Sequence, residues 1–63
     1  MITYTVMLKG VNGSLVRHLK AEEFEIKGNT DKIVIFRTKD NPMAAVFPLP
    51  EVIGIFDESA EVN

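Results

Sequence analysis

Turn-forming residues recur at short intervals along this chain: Gly10-Val11-Asn12-Gly13-Ser14, Gly28-Asn29-Thr30-Asp31, Lys39-Asp40-Asn41-Pro42 and the closely spaced Pro48 and Pro50. Most of the segments between them are rich in β-branched and aromatic residues. Short strands separated by frequent turns are the pattern of a small sandwich or barrel.

Ile2-Thr3-Tyr4-Thr5-Val6-Met7-Leu8-Lys9 alternates as a strand, with Ile2, Tyr4, Val6 and Leu8 on one face. The Asn12-Gly13 pair that follows is the strongest short-range hairpin signal a sequence offers. With those two as the loop, Leu8 falls opposite Arg17 and Val6 opposite Leu19. Val6, Leu8, Leu15 and Leu19 then share one side, and Met7, Val16 and His18 the other. Ser14–Glu23 also contains good helix formers behind a possible Ser14 N-cap. The hairpin signal favours a strand over Ser14–Leu19, followed by a polar crossing, Lys20–Glu23. Phe24–Lys27, Lys32–Thr38, Met43–Phe47 and Val52–Phe56 complete the expected strands. Pro48 should end the fifth, because proline has no N–H to give to a ladder.

The fold class that follows is all-β: five or six short antiparallel strands in a small SH3-like barrel or a strongly bent sheet. Residues 1–56 form the expected domain and 57–63 an acidic, frayed tail. The strand order, with Leu49-Pro50-Glu51 supplying a short 3₁₀ turn just before the last strand, resembles the SH3-like small barrels. That resemblance implies a barrel architecture. It does not extend to the aromatic residues that line a proline-peptide groove in signalling SH3 domains, so it implies no such ligand. The chain is no PxxP ligand either, because Pro48 and Pro50 are separated by one residue rather than two.

A chain of 63 residues is near the lower limit for an independent core. Ordering it costs about 95 kcal/mol of conformational entropy. With no cysteine there is no disulfide to help, and 46% apolar residues must suffice through dense packing or an oligomer, most simply a two-fold dimer. The strands from Ile33 onward are apolar on both faces, whereas a half-exposed strand would alternate. Either a closed barrel or a second molecule must cover the other face. Val34, Phe36, Ile53, Ile55 and Phe56 are therefore the candidate interface residues. The expected function is a non-catalytic protein-binding or assembly module that self-associates through strands 33–56.

Catalytic and metal chemistry find little support. His18 is the only histidine, and Ser14 and Ser59 are the only serines. On a strand, Ser14 and His18 lie about 13 Å apart, beyond hydrogen-bond reach. One histidine without cysteine does not make a zinc set, and the acidic clusters match no calcium loop. No catalytic residue, cofactor, metal or small-molecule substrate is expected. The net charge of −2, with basic residues dispersed among acids, argues against nucleic acid. The alternative functions are a nucleic-acid-binding small barrel, with Arg17, Lys20 and Arg37 as contacts, and an acidic decoy of a nucleic-acid-binding protein built on Glu22, Glu23, Glu25, Asp57, Glu58 and Glu61. The N-terminus shows no basic region followed by an apolar one, and no apolar run reaches membrane-span length, so a soluble cytoplasmic protein is expected.

Overall fold

The computed structural model describes residues 1–59. They form six strands: β1 (Ile2–Gly10), β2 (Gly13–Ala21), β3 (Glu23–Lys27), β4 (Ile33–Arg37), β5 (Ala45–Pro48) and β6 (Val52–Asp57), with a 3₁₀ turn at Leu49–Glu51. The protein is all-β, as its turn spacing implies. The strands make two three-stranded antiparallel sheets, ordered β2-β1-β6 and β3-β4-β5, and their ladders do not close into a barrel. Only Glu22 separates β2 from β3, and its N–H donates to the Arg37 carbonyl at 2.7 Å, so the chain changes sheets there without a loop. It returns through the 3₁₀ turn, where the Leu49 N–H donates to the Lys32 carbonyl at 2.9 Å. No helix among the described residues is long and apolar enough to cross a membrane.

Ser14–Leu19 is strand as expected, and β2 runs on to Ala21 because β1 offers it nine consecutive partners, so the expected polar crossing Lys20–Glu23 shrinks to Glu22 alone. The register differs from the expected one by two residues. Val11 and Asn12 form the tip, Gly10 pairs with Gly13, Leu8 with Leu15 and Val6 with Arg17. A primed turn at Asn12-Gly13 would need Asn12 left-handed, but no non-glycine residue among those described has positive φ. Gly13 takes φ 127° instead. Gly10 is also required, since a Cβ there would lie 2.4 Å from the Gly13 carbonyl oxygen. A shift of two preserves the faces, so Val6, Leu8, Leu15 and Leu19 still share one side.

The core forms between the sheets from Tyr4, Val6, Ala21, Val34 and Phe36, with Leu8, Leu19, Phe47, Val52 and Ile55 packed around it. Phe36 is its centre. The ring is fully buried and meets Tyr4 at 5.3 Å, Phe24 at 5.5 Å and Phe47 at 5.9 Å between centroids. Tyr4 also meets Phe24 edge-on at 5.6 Å. One sheet contributes Tyr4 and the other contributes the three phenylalanines, so this cluster is what joins them.

The two-sided apolarity of the later strands has two separate causes. In β4, the middle strand of its sheet, Val34 and Phe36 face the core and Ile33 and Ile35 face away. Ile35 is nevertheless only 7% exposed. Its in-register neighbours are Glu25 and Val46, and Glu25 pairs with Arg37 and with Lys27 over the same face. The aliphatic stems of these charged residues cover the isoleucine. In β6 the cause is a bulge. Leu8 pairs with Val52 and Met7 with Gly54, leaving Ile53 as the extra residue. Strict alternation groups Val52 with Phe56, but the bulge turns Val52 and Ile55 inward and Ile53 and Phe56 outward. Phe56 is therefore 51% exposed rather than a core residue.

Other element limits also differ from expectation. The fifth strand begins at Ala45 because the Asn41 side chain accepts the Met43 N–H at 3.0 Å and holds that residue in the preceding turn. Of the expected tail, Asp57 belongs to β6, and the Glu58 N–H donates to the Thr3 carbonyl at 2.9 Å. Residues 60–63 lie outside the described residues.

Truncating the Phe36 ring should cost about 3–5 kcal/mol, most of the stability a domain of this size possesses. Urea denaturation of Phe36→Ala should show no folded baseline. Phe56→Ala should stay within about 1 kcal/mol of the parent. Comparable losses for both would contradict this placement of the two rings.

Candidate interaction face

The outer face of the β2-β1-β6 sheet is laid out by register. In an antiparallel ladder, residues directly opposite one another project to the same side. One row across the sheet is Val16, Met7 and Gly54; the next is His18, Thr5 and Phe56. Lys20 and Thr3 begin a third, which Glu58 completes through its backbone bond to Thr3. The Phe56 ring folds over Gly54, its edge 3.1 Å from where a Cβ would stand. Ile53, pushed out by the bulge, extends the apolar part. Val16, Ile53 and Phe56 are 45%, 53% and 51% exposed, and Met7 is half-buried between them.

A polar cluster borders this patch. Thr5 Oγ1 donates to Glu58 Oε2 at 2.8 Å, and His18 Nδ1 lies 3.0 Å from the same oxygen and 3.1 Å from Thr5 Oγ1. An Nδ1–H shared between the carboxylate and the hydroxyl oxygen satisfies all three contacts. The arrangement is not a nucleophile relay. In a relay the hydroxyl and the carboxylate engage opposite ring nitrogens, whereas here both approach Nδ1 and the hydroxyl proton points at the carboxylate. The hydrogen bonds from Thr5 and then His18 hold the Glu58 carboxyl below its usual range. Being well exposed, the cluster orients side chains more than it stabilises the fold.

The sequence-derived candidates scatter across this framework. Val34 and Phe36 are fully buried in the core and Ile55 packs against it, while Ile53 and Phe56 lie on the outer face. Arg17 is opposite Val6, with the parity of the inner side. Lys20 is on the outer face of the first sheet, and Arg37 is on the outer face of the second, paired with Glu23 at 3.5 Å and with Glu25. These three cations share no surface. Of the acidic set, Glu23 and Glu25 are engaged by Arg37 and Lys27, Glu58 by Thr5 and His18, and Glu61 lies outside the described residues. No pocket and no group of three metal-ligating side chains occurs among the described residues. The Thr5–His18–Glu58 cluster escapes sequence reasoning because it depends on β6 pairing with β1 across nearly the whole chain, and no local pattern encodes that pairing.

No protein family, curated protein or solved structure matches the chain.

Because its charged form is favoured in the fold, Glu58 contributes at neutral pH, and the contribution is lost as pH falls through its lowered folded value. An NMR titration should place the Glu58 midpoint below that of an ordinary glutamate. Thr5→Val should move it upward, since Thr5 makes the larger contribution. An unchanged midpoint in Thr5→Val would mean that the hydroxyl does not donate to this carboxylate.

Proposed function

We propose that the protein is a non-catalytic protein-binding or assembly module, and that its contact surface is the outer face of the β2-β1-β6 sheet. The observation that carries this reading is the apolar patch of Val16, Ile53 and Phe56, exposed around the half-buried Met7 and bordered by the Thr5–His18–Glu58 cluster. Contiguous apolar surface with a polar rim is the composition of an interaction site. Phe56 is its anchor: an aromatic ring held over a glycine presents a large area at small entropic cost. The bulge at Ile53 supports the same reading, because it sends two large apolar residues to solvent in a chain with few to spare.

This surface replaces the strand 33–56 face as the place of contact, since Val34 and Phe36 are committed to the core. The SH3-like relationship also belongs here. The order of the elements, the 3₁₀ turn at Leu49–Glu51 and the direct passage from β2 into β3 are the features that support it. A binding module is a common use of such a scaffold, but the argument for binding rests on the exposed row and not on the architecture.

Immobilised protein and its Phe56→Ser variant, compared for retention of proteins from native extract, test the reading. Any partner retained by the parent should be lost from Phe56→Ser, with affinity for the purified partner falling about tenfold or more. Retention should be unchanged for Met43→Ser, which alters an exposed apolar residue outside the row. Equal retention by all three proteins, or none by the parent, would refute it.

A further inference from the structure

The two open sheets have four edges, and three of them carry a feature that discourages pairing. β6 is interrupted by the bulge at Ile53. β5 has four residues and ends in Pro48. β3 has five residues and alternates Glu23, Glu25 and Lys27 along one face. Bulges, short length, proline and charge are the usual means of blunting an edge. β2 has none of the first three: it is nine residues long, regular and free of proline.

The direction of its free backbone groups follows from the hydrogen bonds. The Thr3 carbonyl accepts from Glu58, so the polar groups of Thr3 point toward β6. Alternation then directs those of Tyr4, Val6 and Leu8 toward β2. Their partners Leu19, Arg17 and Leu15 face β1 in return. The groups of Ser14, Val16, His18 and Lys20 must therefore point outward. Two contacts agree with this. Glu22, next in the same series, donates to β4 rather than β1. The Val16 carbonyl is met only by the guanidinium of its neighbour Arg17, at 3.4 Å.

We infer that the β2 edge pairs with the β2 edge of a second copy of this chain, antiparallel about a two-fold axis at Val16, joining two three-stranded sheets into one. This deepens the assembly reading by naming a second copy as the partner of an edge that the outer face leaves free. An antiparallel edge is self-complementary under two-fold symmetry. With the axis at Val16, Ser14 meets His18 of the other copy and each Val16 meets its equivalent, with their outward groups bonded. Leu15 falls opposite Arg17, whose stem covers it. The apolar row of one outer face then continues through Val16 into the other. Moving the axis to Arg17 sets two guanidinium groups directly opposite, which is unfavourable, so charge disfavours that neighbouring axis.

Amide hydrogen exchange and light scattering, followed from micromolar to millimolar protein, test the inference. Mass should rise toward a dimer, and the Ser14, Val16 and His18 amides should become protected in step with it. Val16→Pro removes an outward N–H while leaving the β1 ladder intact, and should weaken dimerisation about tenfold or more. Val16→Lys, which sets two ammonium groups at the axis, should do the same if the proline variant does not fold. Phe56→Ser should leave dimerisation unchanged, so failure of the outer-face reading and failure of this one are separately visible. A monomer at millimolar concentration would overturn the inference. So would protection of these amides in protein whose mass is that of a monomer, or protection that appears only when an extended peptide of another protein is added.

Discussion

The contact of Phe36 with Tyr4 is the interaction on which the rest of the fold depends. Each sheet has only three strands, and a three-stranded sheet with one apolar face needs something to cover it. Here each sheet covers the other, and the edge-to-face cluster of Tyr4, Phe36 and Phe47, with Phe24 at its margin, fills the space between them. Burial also pushes the Tyr4 hydroxyl above its usual range, with the charges of Asp57 and Glu23 adding to the effect. The aromatic cluster sits where the chain passes from β2 into β3, so one set of contacts fixes the bend and the docking of the sheets together.

The small size of this core has consequences at the surface. The radius of gyration is 12.0 Å, above the roughly 10.5 Å expected for a compact chain of this length. The β1–β2 hairpin is one of the segments lying outside the core, since its residues from Val11 to His18 are all exposed. A hairpin that projects beyond the core has its outer face and its free edge accessible together. Stability and availability for contact therefore oppose each other: closing the sheets over the hairpin would bury more apolar area and remove the surface.

How much of this was legible in the sequence can be judged from particular residues. The alternation of Tyr4, Val6 and Leu8 and the position of Leu49-Pro50-Glu51 were readable because both are local. The hairpin faces were readable although the pairing was displaced, since a displacement of two leaves side-chain parity intact. The orientation of β6 was not readable. Val52, Ile53, Ile55 and Phe56 are all acceptable inside or outside, and the choice is made by a bulge imposed through pairing with Met7 and Leu8, more than forty residues earlier. The burial of Ile35 was obscured for a related reason: its cover comes from charged residues, whose stems are apolar but whose letters read as surface.

The Thr5–His18–Glu58 cluster connects these points. It draws one residue from β1, one from β2 and one from the segment that follows β6, so it links β2 to the C-terminal end of β6 through the central strand. On an exposed face its direct contribution to stability is small. Its effect is on order: a hydroxyl and an imidazole converging on one carboxylate oxygen fix three side chains beside the Phe56 ring. A surface whose side chains are already held loses less entropy when a partner arrives. The polar border thus makes the apolar row a defined surface, which a scatter of exposed hydrophobic residues on a marginal core would not be.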